Sequence, residues 1–216
     1  MKRPFPIVST AGALAVIAAA ACATATQQST SPSPAAPATA DRGRSAYTAA
    51  DVHFMTGMIH HHAQAVVMAG WAPTHGASQA VRAMCERIVV GQRDEIVLME
   101  RWLRERHEPV PDMGASHDMM PGMDHSTMMP GMLTAEQLAQ LDRARGPEFD
   151  RLFLRFMIQH HRGAITMVDR LFGSQGGGEE EPVFRIASDV YADQTTEIDR
   201  MQKMLAALLL EGRTPS

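Results

Sequence analysis

The feature that most constrains this chain is an internal duplication. Asp51, Phe54, Met58, Ile59, His61, His62, Ala65, Val66 and Met68 form one series; Asp150, Phe153, Met157, Ile158, His160, His161, Ala164, Ile165 and Met167 repeat it in register. A second series follows each. Gln92, Glu95, Ile96, Met99 and Leu103 are matched by Gln194, Glu197, Ile198, Met201 and Leu205. Such self-similarity marks a repeated supersecondary unit. Within each segment the members recur at three- and four-residue steps, the spacing of one helix face. Two copies of a helical hairpin predict an all-α fold, an antiparallel four-helix bundle over residues 46–211 that buries four apolar stripes.

The punctuation agrees with that reading. Thr48 suits a helix start, with Asp51 in the first turn where a carboxylate faces the positive end of the helix dipole. Pro73, Gly76 and Ser78 mark the turn of the first hairpin, and Gly173 to Pro182 that of the second. A short helix is expected from Thr134 to about Arg145, stopped by Gly146 and Pro147. Strand signals are nearly absent.

The N-terminus reads as an address. Lys2 and Arg3 precede an apolar run from Ile7 to Ala21, which is short for a membrane span of about 20 residues. Residues 1–21 are expected to be a signal peptide, and 22–45 a flexible tether with too little apolar content to pack. Ala19, Ala20 and Ala21 before Cys22 resemble a bacterial lipobox, in which the cysteine is lipidated. The expected location is therefore a membrane lipoprotein facing the periplasm or the exterior; plain cleavage, giving a secreted or periplasmic soluble chain, is the alternative. Cys85 is expected to be a small buried apolar residue, leaving the domain without a disulfide.

The net charge of −4, with no basic cluster beyond the extreme N-terminus, argues against a nucleic-acid partner. The 17 Met and 10 His are about twice average use. Thioether and imidazole are ligands for soft and borderline metals. Met58 precedes His61 and His62 by one helical turn, as Met157 precedes His160 and His161, and Met68 and Met167 follow on the same face. Two readings stand for these histidines: metal ligands, or structural hydrogen-bonding groups. Glu95 and Glu197, with Gln92 and Gln194, fall in otherwise apolar seams, where Glu is rare unless paired. They would orient the imidazoles by hydrogen bonds or bind metal themselves. Asp51 and Asp150 lie on the His face and could do either, or serve only their first turns.

The segment from about Pro109 to Met132 carries a third signal. It contains Met113, Met119, Met120, Met123, Met128, Met129 and Met132, with His117 and His125 between them, and the string Met-Met-Pro-Gly-Met twice. Pro and Gly break any helix here, so helical core packing does not explain these methionines. Neutral thioether sulfur suits Cu(I) or Ag(I) and stays a ligand in acid. Packing of the loop against the bundle end is the bland alternative. Binding by the His pairs is expected to weaken as pH falls through about 6–7, where imidazole protonates.

The motif Asp51-x-x-Phe54-x-x-x-Met58-Ile59-x-His61-His62-x-x-Ala65-Val66-x-Met68 and its second copy resemble the ferritin-like family known as domain-of-unknown-function family 305. Phe149 to Phe153, the Met-rich linker and the Gln-x-x-Glu-Ile-x-x-Met segments resemble it too, over about Ala46 to Leu210. The resemblance implies an exported four-helix bundle, some of whose relatives bind copper or silver through Met and His.

The function expected is extracytoplasmic binding of Cu(I) or Ag(I) for buffering, resistance or delivery, without catalysis. Copper is the expected metal, silver a second, and iron a weaker candidate. One rival is a ferritin-like di-iron enzyme, which needs several carboxylates and a Glu-x-x-His spacing that this chain lacks. The other is a structural or partner-binding surface lipoprotein, with the Met loop as its contact surface. Candidate partners besides the metal are the membrane through a lipid anchor, a metal-exchange protein and a second copy of the chain.

Overall fold

The computed structural model describes residues 47–112 and 129–211. The signal and tether segments with Cys22, and the loop residues His117, Met119, Met120, Met123, His125 and Met128, lie outside the described residues. Among those described, the regular structure is entirely helical. It comprises α1 (Ala49–Gly70), α2 (Gln79–Glu105), α3 (Ala135–Arg143), α4 (Pro147–Phe172) and α5 (Glu181–Glu211). None of these helices is long and apolar enough to cross a membrane.

The helix starts follow local chemistry. The Thr48 hydroxyl accepts from the Asp51 amide while the Asp51 carboxylate accepts from the Thr48 amide, a reciprocal cap on α1. Ser78 caps α2, and Thr134 with Gln137 caps α3 in the same reciprocal way. Helix α4 begins on Pro147, whose missing N–H costs nothing at a first turn, after Gly146 at φ 57.

Packing follows the apolar stripes. Helix α1 packs on α2 and α4, and α5 packs on α4 and α2, so the four long helices close a ring. The short α3 lies against α1 and α4. Two apolar clusters fill the interior. One joins Ala65–Ala69 of α1 and Ala72 just after it, Val81–Ile88 of α2, Phe149–Ile158 of α4, and Ile198 and Met201 of α5. The other joins Phe54–Ile59 of α1, Ile96–Leu103 of α2, Ala164–Leu171 of α4, and Val183–Val190 of α5. The end of one helix meets the start of its neighbour in each cluster, so all neighbours in the ring are antiparallel. Cys85 is a free, buried thiol in the first cluster, and burial pushes its pKa up.

The two hairpins also grip each other's turns. Buried Asp51 accepts from the Gly178 amide at 2.7 Å, in the turn between α4 and α5. Its counterpart Asp150 accepts from the Ser78 amide, 3.2 Å from each carboxylate oxygen, where α2 begins. Each is a bond of an amide to a carboxylate, of the kind that contributes about 1.5–3 kcal/mol.

Candidate metal centre

The gap between the two apolar clusters is polar, and all four long helices contribute to it. His61 and His62 lie on α1 between Ile59 and Ala65; Gln92 and Glu95 lie on α2 between Ile88 and Ile96. His160 and His161 lie on α4 between Ile158 and Ala164; Gln194 and Glu197 lie on α5 between Val190 and Ile198. The duplication thus builds one central layer from eight residues. All four imidazoles are fully buried.

Hydrogen bonds within the layer fix which nitrogen of each ring is free. His62 Nε2 donates to Glu95 Oε2 at 2.7 Å, and His161 Nε2 donates to Glu197 Oε2 at 2.7 Å. His61 Nε2 donates to the Pro130 carbonyl at 3.0 Å. A carbonyl or carboxylate oxygen only accepts, so Nε2 carries the hydrogen in each case. That leaves Nδ1 of His61, His62 and His161 as buried lone pairs with no partner, and His160 with neither nitrogen bonded. The His160 ring lies against His61, centroids 3.8 Å apart.

Burial sets the protonation state. It pushes the His61 imidazole down to about 3, assisted by neighbouring His62 and opposed by the Pro130 carbonyl. Burial, then His61, His161 and His62, holds His160 well below the usual imidazole range. Burial lowers His161 as well, against the pull of Glu197. His61, His160 and His161 therefore stay neutral into more acidic solution than a free imidazole, because a charged ring there loses its hydration.

The sequence-selected residues divide by location. Met58 and Met167 belong to or pack on one flanking cluster, and Met68 and Met157 belong to the other, so thioethers bracket the imidazole layer on both sides. Glu95 and Glu197 hold imidazoles. Gln92 and Gln194 are buried, with both side-chain amide atoms of Gln92 and the oxygen of Gln194 unpartnered. Asp51 and Asp150 bind turn amides at the bundle ends. Asp51 stands about 15 Å along α1 from His61, given 1.5 Å per residue. Of the Met-rich segment, Met129 and Met132 are described and half-buried, and Met129 Sδ shares with Met167 the open flank of Gly57.

One contribution had no motif to announce it. Residues 129–134 cross the groove between α1 and α4 and cover the imidazole layer. Gln64 clamps Leu133 with two bonds, Nε2 to its carbonyl at 3.1 Å and its amide to Oε1 at 2.8 Å. Gly163 lets the crossing backbone approach, since a Cβ there would lie 1.9 Å from the Pro130 oxygen. Gln64 and Gly163 occupy equivalent positions of the repeat. Their departure from its symmetry is the signal that marks where the linker passes.

All the buried, unpartnered side-chain nitrogens and oxygens among the described residues belong to this layer. Such a concentration calls for a ligand or ordered water, since each orphan costs about 1–3 kcal/mol. Neutral imidazole nitrogen beside thioether sulfur fits a soft or borderline cation. Among the described residues, no three His, Cys, Asp or Glu side chains already converge as a metal would require. The donor chemistry fits, and the rings would have to turn to use it.

An all-helical bundle and a duplicated His-His layer together define the class. The chain belongs to the family described as Domain of unknown function (DUF305), whose profile matches residues 51–205. Solved structures agree. A DUF305 fragment from Deinococcus radiodurans is 27% identical with TM-score 0.63, covering 74% of this chain and 98% of that one. A Streptomyces coelicolor DUF305 protein, whose name gives its secretion as an inference, is 26% identical with TM-score 0.61, covering 74% and 93%. CopM in its Cu(II)-bound form is 26% identical with TM-score 0.59, covering 73% and 96%. CopM is also solved with Cu(I) and with silver bound. No curated protein matches the sequence.

Proposed function

We propose that this chain is an exported protein that binds Cu(I) or Ag(I) as cargo, for buffering, resistance or delivery, and catalyses no reaction. The observation that carries the reading is the buried layer of four imidazoles, each with an unpartnered nitrogen, in a family with copper- and silver-bound members. His61, His62, His160 and His161 supply nitrogen donors. Met58, Met68, Met157 and Met167 supply sulfur from either side. His160 is the ring best placed to turn toward a cation, because no side-chain partner holds either of its nitrogens and only the His61 backbone lies within weak reach. Glu95 and Glu197 orient His62 and His161, the usual support for a ligating imidazole, and Gln92 and Gln194 complete the layer.

The Met-rich segment is a second, softer site in this reading. Met119, Met120, Met123, Met128, Met129 and Met132, with His117 and His125, supply its sulfur and nitrogen donors. Cys22 anchors the mature chain to a membrane by lipidation. The export of a family relative, inferred in its name, supports the location.

Iron chemistry is less well served, since the candidate carboxylates are committed: Glu95 and Glu197 to imidazoles, Asp51 and Asp150 to turn amides. A second reading has one observation in its favour. The absence of three converging donors among the described residues suits a polar layer that only fixes helix register. Titration of Cu(I) into the full chain and into a variant with His61, His62, His160 and His161 all replaced by Gln separates the two. The proposal expects the variant to lose a tight-binding equivalent while the segment's sites persist. Equal capacity in a folded variant would favour the register reading.

A further inference from the structure

The layer is covered on one flank and approachable on the other. On the α1–α4 flank, residues 129–134 lie across it, bonded to His61 and Gln64. On the opposite flank, α2 and α5 make the slightest of the ring's four contacts. A groove of about 480 Å³ opens there, lined by Ala83, Glu86, Arg87, Val90, Gly91, Asp193, Thr196 and Glu197. Its lining includes Glu197, the carboxylate bonded to fully buried His161. Glu95 and Glu197 are only 14% and 16% exposed, yet both keep contact with water while gripping an imidazole. Asp193 is set among them: burial first, then Glu95, Glu197 and Asp189 raise its pKa, with Arg87 opposing.

Building on the proposed function, we infer that the α2–α5 groove is the route by which a monovalent soft cation reaches the buried imidazoles. Glu86 and Asp193 concentrate the cation at the mouth, and Glu197 and Glu95 pass it inward to His161 and His62. A fully buried layer between two apolar clusters needs such a passage, and a lining in which Glu86, Asp193 and Glu197 outnumber the one cation, Arg87, focuses cations. In the same layer as the carboxylates, Gln92 and Gln194, only 3% and 2% exposed, keep unpartnered side-chain atoms. They offer a desolvated ion its first neutral contacts.

Gly91 gives the test. It lines the groove, and an added Cβ there meets nothing within 4 Å. Gly91→Phe therefore narrows the passage without a clash at its first carbon, and Asp193→Asn removes charge from the mouth. Gly70→Phe, at an equally open position at the end of α1, is the control. Cu(I) is handed over from its coloured bicinchoninate complex to the full chain, and transfer is followed by loss of colour. Filling of the four imidazoles is read separately from their nitrogen chemical shifts.

The expected result is slower filling of the imidazoles by about tenfold or more in Gly91→Phe and Asp193→Asn, in line with the rate gains focusing provides. Final filling should be unchanged, and Gly70→Phe should match the wild type. Unchanged rates in both groove variants, with the imidazoles filled, would overturn the route and leave the binding proposal standing. Faster filling in Gly163→Ala alone would place the passage under residues 129–134 instead and overturn it too. Wild-type imidazoles that never take metal would overturn the binding proposal itself.

Discussion

Replacing Gly163 by Ala should destabilise the bundle, although alanine is the better helix former. The new Cβ would sit 1.9 Å from the Pro130 oxygen, 2.4 Å from its carbonyl carbon and 2.6 Å from the Gly131 Cα. These are backbone atoms, so no side-chain rotation relieves the clash, and residues 129–134 must lift. Lifting leaves the buried His61 Nε2–H without an acceptor, at about 1–3 kcal/mol. It also breaks both Gln64–Leu133 bonds, about 0.5–1.5 kcal/mol each, and draws Leu133 out of the core. Against this stands a gain of about 1 kcal/mol in helix propensity. With about 1.5–3 kcal/mol for the exposed Leu133 side chain, the net loss is about 2.5–8 kcal/mol. Urea unfolding followed by helical circular dichroism measures it as a lower midpoint at unchanged slope. A midpoint equal to or above the wild type would refute the close approach and with it the cover over the layer.

Acid should weaken the fold in a defined window. His61, His160 and His161 have folded pKa values below that of free imidazole, so the unfolded chain takes their protons first. Stability should fall as pH drops below about 6.5, by up to about 1.4 kcal/mol per pH unit for each group. For His61 the fall continues toward about pH 3, and unfolding midpoints that stay flat between pH 7 and 4 would contradict it. Asp150→Ala should cost about 1.5–3 kcal/mol, because the Ser78 amide loses its carboxylate; a midpoint within error of wild type would show that the tie carries no weight. Deleting residues 113–128 while keeping Met129–Thr134 should lower Ag(I) capacity and leave thermal stability nearly unchanged. Undiminished capacity by calorimetry would remove those methionines from the ligand set.

Much of this was legible because the duplication writes the fold twice. The matched series gave the helices, their faces and the central position of the His, Gln and Glu residues. Thr48, Ser78 and Gly146–Pro147 mark helix starts by chemistry that is local and readable. Asp51 and Asp150 were harder. A carboxylate in a first turn on the His face cannot be told from one near the imidazoles until the partner hairpin's turn is placed beside it. The tautomers depend on which rings find carboxylates and which finds Pro130, contacts between segments far apart in sequence. The cover by residues 129–134 was hidden for the same reason. Its marks, Gln64 and Gly163, are breaks in a repeat, and a pattern search rewards agreement. The low pKa of His61 follows from complete burial, which spacing alone does not measure.

The central claim is that a soft cation binds among the four imidazoles between the two apolar clusters. A crystal structure of silver-loaded protein, with silver located by its anomalous scattering, tests this most directly. The account expects a peak within bonding distance of at least two of the nitrogens of His61, His62, His160 and His161, with a methionine sulfur beside it. Silver found only on the Met-rich segment or the surface, with the imidazole layer unchanged, would contradict it.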